Sequence, residues 1–214
     1  MIRILVADDH TIVREGLKQI LAKQTDMVVA GEAANGNDVL QMVRRENWDV
    51  LVTDMSMPGR NGVELIRLAK EARPALPVLV LSMYDESQYA VRAMRAGAAG
   101  YINKESASEQ LVNAIRTVAA GGVHVSAAVG AALLQTVHGK PATGKLPHEQ
   151  LSNRELQVLQ MIAAGGTVTE IAGKLPLSPK TISTHKARLL EKMQMSNQAE
   201  LIRYAIEQRL VAGN

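Results

Sequence analysis

Five polar residues stand at or just past the ends of short apolar runs in the first half of this 214-residue chain: Asp8 and Asp9, Asp54, Ser82 and Lys104. If those runs are neighbouring strands, three carboxylates, a hydroxyl and an amine converge. Carboxylates crowded together repel unless a hard divalent cation sits among their oxygens. Magnesium suits such a set, because one or two carboxylates with phosphate oxygens and waters complete its octahedron. A phosphoryl group arriving on Asp54 brings more negative charge, and Lys104, Ser82 and the metal can each take one of its oxygens. The chemistry indicated is that of a phosphoryl acceptor. A single Asp at a strand end can equally be a cap, and Asp8 could cap a helix beginning near Thr11. Successive strand residues point to opposite faces, so whether both Asp8 and Asp9 reach a metal depends on how that strand ends.

The elements that must position these residues follow from the hydrophobic rhythm. Apolar runs at Arg3 to Ala7, Met27 to Ala33, Val50 to Thr53, Pro77 to Leu81 and Gly100 to Ile102 are too short for helices and rich in Val, Leu and Ile. They predict five buried parallel strands. Between and after them Val13, Leu17, Ile20 and Leu21, then Val39, Met42 and Val43, Val63 and Ile66, and Leu111, Ala114, Ile115 and Val118 fall at helical spacing. The expected fold class is α/β: a flavodoxin-like doubly wound sheet with its crevice at the carboxyl ends of the strands. Residues 1–120 form this domain. Residues 121–150 are expected to be a linker, with a connecting helix at 126–137 and a flexible stretch containing Gly139, Pro141, Gly144 and Pro147. Residues 151–214 then read as a small all-α domain, with helices at 152–164, 168–174, 178–193 and 198–208.

One helix of that second domain is chemically marked. Ser178-Pro179 opens it with an N-cap serine and a proline at the first helical position. At 100° per residue Ile182, Leu189 and Met193 form one stripe, and Lys180, Ser183, Thr184, Ala187 and Arg188 lie opposite. Lys180, Lys186, Arg188 and Lys192 against Glu191 alone make a basic strip suited to a phosphate backbone. Small and cationic residues outside, with a short helix and the turn Leu175-Pro176-Leu177 before them, are what entry into a major groove requires.

Composition narrows the classes further. The charge of +3 is unevenly spread: residues 1–125 hold 14 Lys+Arg against 15 Asp+Glu, and residues 148–214 hold 8 against 6. The absence of cysteine excludes disulfides, thiol nucleophiles and thiolate metal sites. No apolar run is long enough to span a bilayer, and the opening run stops at Asp8, so no membrane role and a cytoplasmic location are expected. Five aromatic residues, one Trp and four Tyr, argue against recognition of single strands by base stacking.

Asp8-Asp9-His10, Val13-Arg14-Glu15-Gly16-Leu17, Asp54 with Met57-Pro58-Gly59 and Gly62, Gly97-Ala98-Ala99-Gly100-Tyr101 and Lys104 resemble the receiver domain of two-component response regulators of the NarL/FixJ subfamily. The resemblance implies that Asp54 accepts a phosphoryl group from a sensor histidine kinase and that Asp8, Asp9 and the backbone carbonyl of Ser56 help to hold Mg2+. It also implies that Lys104 contacts the phosphoryl group and that Ser82 and Tyr101 are a switch pair. A strand tyrosine can also be a half-buried aromatic with its hydroxyl in water. The chain departs from many receivers in carrying Lys104-Glu105, not lysine-proline.

Leu151-Ser152-Asn153-Arg154-Glu155, Val158-Leu159, Glu170-Ile171-Ala172, Leu177-Ser178, Lys180-Thr181-Ile182, His185, Lys192-Met193 and Glu200-Leu201 are similar to the LuxR-type helix-turn-helix of the same subfamily. That similarity implies that Lys180, Ser183, Thr184 and Ala187 face bases, that Thr181, His185, Arg188 and Lys192 lie near phosphates, and that the last helix carries a dimer contact. Val168, Thr169 and Gln198 depart from common family residues. The expected function is a phosphorylation-controlled transcription regulator, bound as a homodimer to double-stranded promoter DNA and working with RNA polymerase. No enzymatic turnover of external substrates is expected. The competing readings are a phosphorylation-independent DNA binder, an aspartyl-phosphate phosphotransferase and a protein-binding adaptor.

Overall fold

The computed structural model describes residues 1–58, 62–83, 86–138, 146–175, 177–208 and 210. Gly59, the linker residues Gly139, Pro141 and Gly144, Pro176 and the final four residues lie outside them. The chain divides into two compact units, Met1–Pro141 and Ala142–Asn214.

The first unit alternates strands and helices: β1 (Ile2–Ala7), α1 (Thr11–Leu21), β2 (Met27–Ala33), α2 (Gly36–Arg45), β3 (Val50–Asp54), α3 (Gly62–Ala72), β4 (Val78–Ser82), α4 (Glu86–Arg95), β5 (Gly100–Asn103) and α5 (Ala107–Ala119). The strands form one parallel sheet in the order β2-β1-β3-β4-β5, the flavodoxin-like order. Every residue of β3 and β4 is buried, which is why these strands read as unbroken apolar runs and not as alternating ones. Ile4, Val6, Val50, Val52, Leu79, Leu81 and Ile102 pack with Leu17 and Leu21 of α1 and Leu111, Ala114, Ile115 and Val118 of α5 in one core layer. Their strand neighbours face the other way, and there α2 packs on α3 and α3 on α4. Helix α4 had no clear apolar stripe in the sequence because its buried positions include Ala90 and Ala93.

After α5 the chain turns through Gly121 at φ +85°, a left-handed conformation that glycine adopts without strain. Helix α6 (Ala127–His138) follows and packs against α4, with Val129 1% exposed. Helix α6 thus lies within the first unit, Met1–Pro141.

The second unit holds a short 3₁₀ turn at Pro147–Gln150 and helices α7 (Asn153–Ala163), α8 (Val168–Lys174), α9 (Pro179–Met193) and α10 (Gln198–Glu207). Ser152 and Thr167 each form a reciprocal capping box, with Glu155 and Glu170. The Ser178 side chain accepts the Thr181 N–H with Pro179 at the first helical position, and the Asn197 side chain accepts the Glu200 N–H. Each cap satisfies a helix-end donor that would otherwise be orphaned. Leu151, Leu156, Leu159, Ile162, Ile171, Ile182, Leu189, Met193 and Leu201 are buried, and α9 packs on both α7 and α8. Among the described residues no helix is long and apolar enough to cross a membrane.

Candidate functional site

At the carboxyl end of the sheet, β1 runs into Asp8 while β3 and β4 each extend one residue beyond the apolar run, so that Asp54 and Ser82 are their last residues. Asp8 is 1% exposed, Asp54 4% and Ser82 fully buried. Lys104 begins the 3₁₀ turn after β5 and reaches back, its Nζ 2.7 Å from Asp8 Oδ2 and 2.9 Å from Asp54 Oδ1. Burial works against the charged form of Lys104, but the Asp54 charge and the hydrogen bonds to Asp8 and Asp54 outweigh it, so its pKa lies above the ordinary lysine value. The ammonium is a fixed cation between two buried carboxylates. The Ser56 backbone N–H donates to Asp54 Oδ2 at 2.9 Å, which holds the carboxylate in one orientation.

Asp9 is turned toward solvent, and His10 Nδ1 lies 3.0 Å from Asp9 Oδ1 and 3.1 Å from Asp8 Oδ1. Asp8 does not cap α1 in the manner the sequence allowed. His10 is the N-cap residue, and Asp8 Oδ1 accepts its backbone N–H at 2.9 Å. Arg14 donates to the Asp8 carbonyl at 2.7 Å and pairs with Glu32, which fixes the end of β1. Sequence reading quoted His10 and Arg14 within a motif but assigned them no task; the partner Glu32, on β2, is reached only through the fold.

The donor set fits a hard divalent cation. Asp8, Asp9 and His10 bring ligand atoms within 4.8 Å of one another, and Asp8, Asp9 and Asp54 with Lys104 sum to −2 when ionised. Tyr101 is 2% exposed; the half-buried alternative does not describe it. Its strand partner is Val80, two residues before Ser82.

In the second unit α9 presents two chemically distinct faces. Ile182, Leu189 and Met193 are buried, while Lys180, Ser183, Thr184, Ala187 and Arg188 are exposed. The Ser183 and Thr184 hydroxyls donate to the carbonyls of Pro179 and Lys180, both at 3.0 Å. Thr181 is half-buried and its hydroxyl bonds the N-cap Ser178 at 2.8 Å. His185 is held below the ordinary histidine pKa chiefly by burial, opposed by Glu155 and reinforced by Arg154, Arg188 and Lys192, so near neutral pH its imidazole is uncharged. Two cations of the strip have partners within the domain: Lys186 Nζ donates to Gln198 Oε1 at 2.6 Å, and Lys192 Nζ is 2.8 Å from Glu155 Oε2. The structure thus gives Lys192 an internal partner, 37 residues away in sequence, that no local pattern disclosed.

The geometry accords with what the chain matches. Residues 4–116 match the response regulator receiver domain, and residues 149–205 match the luxR family of bacterial regulatory proteins. The chain is 37% identical over 214 residues to the oxygen regulatory protein NreC of Staphylococcus haemolyticus, covering 98% of this chain and 99% of that one. It is 37% identical over 211 residues to the response regulator GacA of Pseudomonas aeruginosa, covering 99% and 98%. A structure of RcsB from Salmonella enterica serovar Typhimurium, bound to promoter rprA in the presence of phosphomimetic BeF3-, superposes with a TM-score of 0.56 at 28% identity, covering 95% and 97%.

Proposed function

Because this chain belongs to the NarL/FixJ family of DNA-binding two-component response regulators, we propose that a phosphoryl group on Asp54 controls how its LuxR-type helices bind a promoter. In this reading residues 1–120 are the receiver, 121–150 join the domains and 151–214 bind DNA. A carboxylate oxygen of Asp54 attacks phosphorus on the phosphohistidine of a sensor kinase; the O–P bond forms as the N–P bond breaks, and the imidazole leaves with the electron pair. Asp8, Asp9, Asp54 and the Ser56 carbonyl would hold Mg2+, which supplies positive charge to the transferring oxygens. Lys104 takes one phosphoryl oxygen with its ammonium, and Ser82 takes another as Tyr101 responds. The chain assists transfer to and from its own aspartate and turns over no external substrate. It works in the cytoplasm as a homodimer on paired half-sites, with RNA polymerase as a further partner.

The observation that carries this reading is the pair of Lys104 contacts, 2.7 Å to Asp8 and 2.9 Å to Asp54. They support it because an acyl phosphate on Asp54 would need a cation within reach of its oxygens. To test it, duplex affinity is measured with and without a small acyl phosphate donor and Mg2+. Affinity is expected to change by about 5- to 150-fold, the usual span of coupling between two sites. Identical affinities would leave a constitutive DNA binder.

Base contact by α9 makes a separate prediction. Since the Ser183 and Thr184 hydroxyl protons are donated to the helix's own carbonyls, both oxygens face outward as acceptors, suited to the amino groups of cytosine or adenine in the major groove. Thr184→Val keeps the methyl and removes the acceptor. It is expected to relax selection for an amino-bearing base at one half-site position, a discrimination worth about 0.5–1.5 kcal/mol, the net value of one hydrogen bond. Lys180→Ala should weaken binding as well, and footprints or selected sequences identical to the wild type in both variants would refute the assignment of these residues to the groove.

A further inference from the structure

β5 is the last strand of the sheet, and its outer edge would ordinarily show unpaired backbone groups. Here the residues after α5 come back to cover it. The Tyr101 N–H donates to the His124 carbonyl at 2.9 Å, the His124 N–H donates to the Ala99 carbonyl at 3.0 Å, and Gly100 and His124 form a parallel bridge. Gly100 permits the approach: a Cβ there would lie 2.9 Å from the His124 carbonyl oxygen and 3.2 Å from its Cβ, and 2.8 Å from Leu79 Cδ1 on the neighbouring strand. Three residues later α6 starts, and it packs on α4, the helix that follows Ser82, with Val129 buried.

We infer that residues 123–138 are a strap that positions the switch strand, with the His124 backbone and Gly100 as positioning residues. Through it the state of the acidic site reaches the chain beyond residue 138. This rests on the reading of Ser82 and Tyr101 as a switch pair. The strap is fastened to both elements that such a pair must move: the backbone of Tyr101 itself and the helix behind Ser82. A change at Tyr101 breaks or re-forms the hydrogen bonds held by His124, and a shift of α4 changes its packing on α6, so the chain leaving α6 has two discrete anchorages, not a continuum of positions.

The test uses the full chain and three variants. His124→Pro removes the donor to Ala99, Gly100→Ala crowds both the His124 carbonyl and the flexible end of Leu79, and His124→Ala leaves both backbone hydrogen bonds in place. Two quantities are read: amide exchange at Tyr101 and His124 without phosphorylation, and the ratio of duplex affinities with and without an acyl phosphate donor. In the wild type both amides are expected to exchange on the order of 100-fold slower than in an unstructured peptide, as hydrogen-bonded groups do. The affinity ratio, about 5- to 150-fold in the wild type, should fall to within about twofold of unity in His124→Pro and Gly100→Ala and stay at the wild-type value in His124→Ala. Labelling of Asp54 should be the same in all four proteins, a readout that general unfolding would not spare. Wild-type ratios in both His124→Pro and Gly100→Ala overturn the proposal, as does fast exchange at Tyr101 and His124. If the wild type itself shows no ratio the proposal falls too, and slow amides in that case identify the regulatory reading, not the strap, as the failed part.

Discussion

The Asp54→Asn chain is expected to take up no label from a radiolabelled acyl phosphate under conditions in which the wild type labels readily. Removing a nucleophile typically lowers turnover by roughly 10⁴-fold or more, which brings labelling down to background. The geometry predicts why the loss should be chemical and not structural. Lys104 keeps its 2.7 Å contact to Asp8, and an asparagine fills the volume of the aspartate. Its single carbonyl oxygen can accept from Lys104 or from the Ser56 N–H, which now hold separate carboxylate oxygens, but not from both in the same way. Ser56 is exposed, so water can satisfy the released donor. Divalent-ion affinity should fall as well, since the site loses one of its negative charges, and titration calorimetry with Mg2+ reads this directly. Full labelling of the variant would move the acceptor to another residue and take the central assignment with it.

How far the sequence reveals such a site depends on the kind of contact. Asp54 and Ser82 were legible because parallel strands buried on both faces are uninterrupted apolar runs, and the first polar residue after such a run marks the strand end. The apolar stripe of α9 was legible for the same reason, one period repeated over four turns. Contacts between distant segments were not. Arg14 with Glu32, and Lys192 with Glu155, are joined only once the fold exists. Helix α4 escaped detection because two of its three buried positions among the described residues, Ala90 and Ala93 beside Tyr89, are alanines, leaving a weak hydrophobic signal. Val123-His124-Val125 is shorter than any strand pattern that composition can support; what makes it a bridge is the missing side chain at Gly100, across a gap of 24 residues. Position in sequence placed the strand-end residues, whereas the residues that hold them are disclosed only by the fold.

Lys192 illustrates the difference, and its partner carries the second large effect. Glu155 is 3% exposed, and its Oε2 accepts from the Ser152 N–H, the Ser152 hydroxyl and Lys192 Nζ, each at 2.8 Å. Burial raises the Glu155 pKa, but Lys192 and Ser152 outweigh it and hold the group below the ordinary carboxylate range. Glu155→Ala removes half of a capping box, worth about 1 kcal/mol, and charge-assisted hydrogen bonds worth about 1.5–3 kcal/mol. Lys192 is 42% exposed and can rehydrate, which limits the damage. The expected cost is about 2–4 kcal/mol, a large share of the stability of a domain this small. The helical unfolding transition of the second unit should drop by about 10 °C or more. Lys192→Met, which leaves the Ser152 bonds intact, should cost less. The pH dependence separates this account from simple loss of packing. A carboxylate whose pKa is depressed on folding stabilises fully above its unfolded pKa of about 4.3 and loses that contribution as pH falls through the folded value. The wild type should therefore lose stability over that acid window, and Glu155→Ala should lack that part of the slope. Parallel pH profiles in the two proteins would show that the carboxylate is not holding α7 to α9.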